Sequence, residues 1–525
     1  MESSQITTLV DNFNPFVEGN TTVGSIGVPS LIYESLLQFD IAKPTQAPYD
    51  FLATKFKWGI GGTSITFTIR TNVKFSNGKA LTPQDVAGTY KLVGANKDIN
   101  SNGLSLASPA ATVKGDTVTL HFTTSSYTAL QYIGTVPIVL PSQWSGVGDP
   151  GKYTDTNPVG TGPYTLSSFS ATAGVVLKAN KKYWGGPFNH GKAGPPPIST
   201  VEFPTYASTS AVLSALDSNA LDWAGNFITG LNPSFTSGPG HAVWFAGVNT
   251  NSLMPNLAAS ANSSMANLAV RQAVSAAIDR NDISSTGESG LEPAATNASG
   301  IVLPNFASQE ASSVSGDTLS GSADPSKADS ILSAAGCTID GAGYYSCGGQ
   351  QVNVRITDPS DYTDYAADDT IMAANLQAAH INGTFDGLAD AAWYSDLSAN
   401  TFGDATSHWS NSAITLWGLY DGWLDSTLAG TGGGDFEDLS DPTINTELGK
   451  LASAGTPAQV KADAAPLEEY VASELPIIPT VYGASFDEYN SGAFTGWPSA
   501  SNQYESGSPN YPTNEVIVLH LKPKS

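Results

Sequence analysis

The chain has 525 residues, 22 Lys+Arg against 47 Asp+Glu, a formal net charge of −25 and 40% hydrophobic residues. That hydrophobic share excludes a wholly disordered chain, and the negative charge repels phosphate backbones and anionic lipid, so no nucleic-acid or membrane-surface partner is expected. Charged residues amount to only 13%, about half the share of an average soluble domain, and Gly, Pro, Ser, Thr, Ala and Asn take their place.

At roughly 100–200 residues per domain the length allows two to four lobes. Met1-Glu2-Ser3-Ser4 is polar and acidic and unlike a signal peptide. No apolar run approaches the roughly 18 residues of a membrane-spanning helix. The chain therefore reads either as cytosolic or as a mature segment whose leader has been removed.

In chain order, Ser64–Arg70 and Thr117–Phe122 alternate apolar and polar residues, which predicts half-buried strands. Between them, Thr82-Pro83-Gln84-Asp85-Val86 predicts a helix start: a capping hydroxyl, Pro at the first helical position and an acid in the first turn. Asn267–Asp282 carries Leu268, Val270, Ala273, Val274, Ala277 and Ile278 at helical spacing, and Asp324-Pro325 opens another helix by the same cap-then-Pro logic. Cys337 and Cys347 stand ten apart in a Gly-containing stretch, a spacing that fits a disulfide across a short turn and an oxidising compartment. With two Cys and no His nearby, no metal site is expected. Ser/Gly/Asn-rich connections at 284–300 and 395–413 exceed simple turns. Val516–Leu521 predicts a C-terminal strand. The whole reads as α/β or α+β, without repeats or heptads.

Enzyme signatures are absent from the sequence: no G-x-S-x-G elbow, no phosphate-binding Walker loop, no H-E-x-x-H and no complete G-x-G-x-x-G. Gly430–Asp435 lacks the Lys and following Ser/Thr of a phosphate loop and reads as a flexible loop. The six His (121, 190, 241, 380, 408 and 520) are scattered. Spacing alone reveals no glycosidase pair among the carboxylates.

One segment carries more information. Asn157-Pro158-Val159-Gly160-Thr161-Gly162-Pro163-Tyr164, then Val176–Asn180 and Tyr183-Trp184-Gly185-Gly186, resembles the signature of family-5 extracellular solute-binding proteins, the oligopeptide/dipeptide-type receptors of ABC importers. Further matches follow in the family's order. They are Asn14-Pro15-Phe16, Ile32–Leu37, Val73–Gly78 with Thr82–Val86, Ala211–Leu216 with Asp222, Val270–Arg280, and Pro476-Ile477-Ile478-Pro479. The resemblance implies an α/β, two-lobed periplasmic-binding-protein-like fold of the large class with an extra subdomain, enclosing its ligand by hinge closure. Lobe one would comprise 1–245 plus 480–525, with 50–155 as outer subdomain, and lobe two 246–479. Two crossover strands, near Trp244–Asn251 and Pro479–Gly483, would form the hinge. It further implies a monomeric, extracellular receptor, lipid-anchored or periplasmic, that serves membrane permease subunits and has no catalytic residue or cofactor.

The family leaves the ligand open. Its peptide receptors anchor the ligand's amine with an Asp after a W-x-x-D-type strand, here the region of Trp393, Tyr394, Asp396 and Asp404. Aromatic residues dominate that region: Trp393, Tyr394, Phe402, Trp409, Trp417, Tyr420 and Trp423. Phe494–Tyr504 resembles the "GWP…NPY" tail of the branch that binds cello- and chito-oligosaccharides. The expected ligand is therefore an oligosaccharide, with an oligopeptide as the alternative and a glycoside hydrolase as the rival class. Trp393, Trp409, Trp417 and Trp497 are the expected stacking platforms, with Tyr394 beside them. Asn14, at the segment the family places on the cleft edge, Asn249, flanking a hinge strand, and Asp396 are the expected polar contacts.

Overall fold

Alternation along two strands builds the first sheet. The computed structural model describes residues 1, 7–17, 23–100, 103–189, 192–228, 235, 240–303, 305–409, 414–430, 434–509 and 513–524, without the side chains of Asn189 and Trp409. It divides into two units, one of residues 1–246, 453–455 and 485–525, the other of 247–452 and 456–484.

In the first unit β1 (Ala53–Trp58), β2 (Ser64–Ile69), β3 (Leu106–Lys114) and β4 (Thr117–Phe122) form an antiparallel sheet in the order β1-β2-β4-β3. Ile65 pairs with Leu120 and Phe67 with Val118, and all four side chains are buried on one face. On the other face Thr66 and Thr119 join through their hydroxyls at 2.8 Å. Helix α1 (Pro83–Ala95) packs on β3 and β4. Its cap is reciprocal: Asp85 N donates to Thr82 Oγ1 (3.3 Å) and Thr82 N to Asp85 Oδ2 (2.9 Å). A second antiparallel sheet, β5 (Tyr164–Ser170), β6 (Gly174–Ala179) and β7 (Thr200–Phe203), follows the Gly/Pro signature.

That signature is a backbone junction. Gly162 N donates to Ile32 O (2.8 Å), Ser76 N to Gly160 O (2.8 Å) and Asn180 Nδ2 to Gly162 O (2.9 Å). A Cβ on Gly160 would lie 1.9 Å from Ile32 O, so only glycine lets the two backbones approach this closely.

The second unit holds a five-stranded mixed sheet: β8 (Asn251–Pro255), β9 (Asn353–Pro359), β10 (Asn382–Leu388), β11 (Ala405–Trp409) and β12 (Ile478–Val481), in the order β10-β9-β11-β8-β12. β9 runs parallel to β10 and to β11, whereas β8 is antiparallel to both β11 and β12. Its helices include α2 (Leu268–Ala277), α3 (Pro325–Ala334), α4 (Thr363–Ala378), α5 (Asp390–Ala399) and α6 (Leu416–Leu424). Asn267 caps α2 by accepting from Ala269 N (3.0 Å), and Asp324 caps α3 by accepting from Lys327 N (2.9 Å). Leu253, Val270, Val274, Val354, Ile356, Leu376 and Ile478 make the core that these helices share with the sheet. Cys337 and Cys347 are disulfide-bonded around the small strands Thr338–Ile339 and Tyr345–Cys347.

Two elements depart from the sequence reading. Val516–Leu521 is not a strand but most of α7 (Thr513–His520), closing the core of the first unit. Every residue from Thr513 to Val518 is buried, so no exposed face exists to set a period, and a short apolar run buried all round suits either structure. The stretch 395–413 is not one long connection either. Helix α5 continues to Ala399, Asn400 ends it with a left-handed φ of 54°, and β11 begins at Ala405. Residues 410–413, and Thr431–Gly433 of the loop read as flexible, lie outside the described residues.

Two outcomes follow from these contacts. Gly160→Ala should cost about 1–3 kcal/mol, the range for overpacking a fitted site, and lower the melting temperature. Replacing Cys337 and Cys347 together by Ser should cost about 2–4 kcal/mol, and the unreduced, denatured parent protein should yield no alkylatable thiol in mass spectrometry.

Candidate functional site

Helix α5 sorts the aromatic candidates by its own geometry. Trp393 and Leu397, four apart, face inward, and Tyr394 and Ser398, also four apart, face outward. Trp393 is 0% exposed. Its Nε1 donates to Thr406 Oγ1 (2.9 Å) and Thr357 O (3.2 Å), and its ring stacks on His408 with centroids 5.7 Å apart. It is therefore a core residue that supports its neighbours and has no free face. Tyr394 lies edge-on to it at 4.8 Å and is 38% exposed. Beside them Tyr362, half-buried, also meets Trp393 edge-on and donates its hydroxyl to Asp390 Oδ1 at 2.8 Å. Burial, then the Asp390 carboxyl, pushes the Tyr362 phenol upward, so it stays a neutral donor.

The two acids considered for an ammonium anchor have partners. Asp404 Oδ1 accepts from Ser263 Oγ (2.8 Å) and its Oδ2 from Arg355 N (2.9 Å), which ties β9 to the loop before α2. Asp396, half-buried, accepts from Thr401 Oγ1 (3.2 Å) at the end of α5. Trp417 lies near the start of α6, half-buried against the core of Leu416, Leu419, Tyr420 and Trp423. Trp409 ends β11, and its side chain lies outside the described residues. Asn249 is half-buried, its Oδ1 pressed on Gly483, where a Cβ would come within 1.7 Å.

In the first unit Asn14 is 2% exposed. Its Nδ2 donates to Pro150 O (2.9 Å) and Tyr153 O (2.8 Å), and its Oδ1 accepts from Phe16 N (3.0 Å). The amide thus serves as a loop clamp. Trp497 stacks on Tyr489 at 4.8 Å and meets Trp223 edge-on at 5.5 Å. It lines a cavity of about 360 Å³ with Trp223, Phe494, Tyr206 and Asp222, all of the first unit.

The structure thus gathers Trp393, Tyr394 and Asp396 on one helix of the second unit, with Trp417 and Asn249 elsewhere in that unit. Asn14 and Trp497 belong to the first. Sequence reasoning missed Tyr362, Asp390 and His408. A signal for His408 existed: Thr406 and His408, two apart on β11, face the same side and both meet Trp393. Among the described residues no group of three or more His, Cys, Asp or Glu could hold a metal ion, and no helix is long and apolar enough to cross a membrane.

Comparison with known proteins gives this geometry a frame. The family model of bacterial extracellular solute-binding proteins, family 5 middle, matches residues 47–431. The probable peptide-binding protein YejA of Agrobacterium fabrum is 26% identical over 224 residues, which is 41% of this chain and 35% of that protein. The match to curated relatives thus spans about a third of their length. Among solved structures, the periplasmic oligopeptide-binding protein of a Thermotoga maritima oligopeptide ABC transporter has a TM-score of 0.86 at 22% identity, covering 100% of this chain and 98% of that one. Its mannohexaose-bound form scores 0.80 at 21% identity, over 100% and 98%. These likenesses give the fold: the two-lobed, mixed helix-and-strand architecture of periplasmic binding proteins.

Burial separates the two neighbours on α5 experimentally. Trp393→Ala should cost about 3–5 kcal/mol of stability, as for a large core aromatic. Tyr394→Ala should stay within about 0.5 kcal/mol of the parent. Denaturant titration reads both, and equal losses would contradict the assignment of Trp393 to the core and Tyr394 to the surface.

Proposed function

The chain belongs to family 5 of the bacterial extracellular solute-binding proteins, and on that premise we propose that it is the substrate-capturing component of an ABC importer for neutral oligosaccharides. One observation carries the choice of ligand class. Both acids in the region where a peptide's ammonium would be anchored already accept from neutral donors: Asp404 through both oxygens, and Asp396 from Thr401. What remains accessible beside them is aromatic and hydroxylic: Tyr394, Tyr362 with Asp390, and, on α6, the partly buried Trp417. Such amphipathic rings suit the C–H faces of a sugar, and the hydroxyl and carboxyl groups suit its OH groups. The mannohexaose bound by the Thermotoga maritima protein supports the same reading.

In this role the receptor delivers solute to membrane permease subunits outside the cytoplasm and performs no chemistry. An oligopeptide is the second reading, favoured by the likeness to the probable peptide-binding protein of Agrobacterium fabrum. In that case Asp396 would exchange Thr401 for the ligand's ammonium.

Calorimetric titration with mannohexaose, cellotetraose, chitotetraose and a tri- to pentapeptide pool tests both readings. An oligosaccharide should bind without turnover, Tyr394→Ala and Trp417→Ala should each weaken it by about 2 kcal/mol, and Asp396→Asn by about 1 kcal/mol. Binding of peptides alone, abolished by Asp396→Asn, would overturn the sugar assignment, and product formation would make the protein a hydrolase.

A further inference from the structure

The second unit buries carboxyl groups that have no cation beside them among the described residues. Asp358 at the end of β9, Asp368 and Asp369 on α4, and Glu288 just after the turn Ile283–Gly287 are each at most 2% exposed. Asp358 Oδ2 accepts from Ser407 N (2.7 Å) and Thr406 Oγ1 (3.2 Å), and Asp369 Oδ1 accepts from Ser407 Oγ (2.7 Å). Their other oxygens, Asp358 Oδ1 and Asp369 Oδ2, find no N–H or O–H donor among the described residues. The same holds for Asp368 Oδ1 and both oxygens of Glu288. Each of these carboxyls lies within hydrogen-bonding reach of another carboxyl, Asp358 of Asp369 and Glu288 of Asp368. Gly287 brings the turn so close that a Cβ there would sit 1.8 Å from Asp368 Oδ1.

Two ionised carboxylates cannot share such a contact, and a buried acceptor without a donor is costly. A single proton between the two members resolves both problems. We propose that Asp358–Asp369 and Glu288–Asp368 are proton-sharing carboxyl pairs that lock α4 to β9 and to the turn before Glu288, so that the protein is built to be most stable in an acidic medium.

Among the described residues the surroundings supply no competing cation. Tyr365, Asp364 and Glu292 are the remaining ionisable groups that act on the pairs. Glu292 is itself buried and accepts from Asn251 Nδ2 and Ala484 N, each at 2.7 Å. Basic groups on the adjoining elements are engaged elsewhere. Arg271 donates to Glu474 O and Met265 O, Arg280 to Pro479 O and Ser275 O. Arg355 pairs with Asp386, His380 with Asp329, and His408 stacks on Trp393. Lys327 on α3 is exposed.

Burial first pushes Asp369 up to about 7. Burial, then the Asp364 charge, pushes Glu288 up to about 8. Asp358 and Asp368 move in the same direction by burial, then by their carboxyl neighbours. A carboxyl that titrates higher in the folded than in the unfolded chain holds a proton that unfolding releases. Stability from these pairs is therefore fully present below about pH 4, where unfolded carboxyls titrate, and is lost as the pH rises through about 7 to 8.

Equilibrium unfolding of the full chain between pH 4 and pH 8 tests the proposal, beside Asp368→Asn/Asp369→Asn and the exposed control Asp361→Asn. Each retained proton makes the unfolding constant rise about tenfold per pH unit between the two titrations. The parent and the control should show that rise. The double variant, with an amide N–H in place of each shared proton, should lose up to about a hundredfold per pH unit of it. A parent stability that is flat or rises with pH, or a double variant as steep as the parent, would overturn the proposal. Should the double variant not fold, infrared absorption of protonated carboxyls in Asp369→Asn at pH 6 decides. A smaller signal than the parent's supports the shared proton, and an unchanged signal refutes it.

Discussion

Carboxyl groups outnumber cations 47 to 22 in this chain, and the packing of both units depends on how the buried ones are satisfied without salt bridges. Neutral donors do most of that work. Asp155 accepts from Tyr33 Oη (2.5 Å), Gln143 Nε2 (3.1 Å) and Asn157 N (3.1 Å). Asp487 accepts from Trp223 Nε1 (2.8 Å) and Glu468 from Ala311 N (2.8 Å). The ion pairs seen among the described residues each involve an exposed or partly exposed group, where such pairs contribute little.

Glu34 shows what this arrangement achieves. It is fully buried, and it accepts from Tyr183 Oη (2.9 Å) and Trp184 Nε1 (2.9 Å), while Arg70 lies 4.5 Å over the Trp184 ring. Burial raises its titration to about 7 despite those donors. The aromatic pair of the signature thus meets the acid of the Ile32–Leu37 segment, just as the signature's glycines meet the Ile32 backbone. These motifs hold the first unit together from separate parts of the chain.

What was legible in the sequence has a physical basis. Caps such as Thr82–Asp85 and Asp324–Lys327 act over three residues, and strands with one wet face show their period, so both could be read directly. The C-terminal helix could not, because burial on all sides erases the period. Among the candidate residues, aromatic density drew attention to the segments that form α5 and α6 but did not separate buried Trp393 from exposed Tyr394, since that depends on knowing the segment is helical. The loop clamp that Asn14 makes was not legible for another reason. Its partners, Pro150 and Tyr153, lie more than 130 positions away, and no local pattern announces them.

The final helix also determines the order in which the chain can mature. Val516 and Ile517 are 0% exposed, and Asn514 Nδ2 donates to Gly27 O (2.9 Å) across 487 positions. The first unit's interior therefore stays open until residues 513–520 have been synthesised, whereas the second unit's main segment, 247–452, is available earlier. Contacts between such distant positions form slowly and leave apolar surface waiting. A shortened chain that ended before residue 513 would retain the second unit's sheet and leave the first unit without its closing core element.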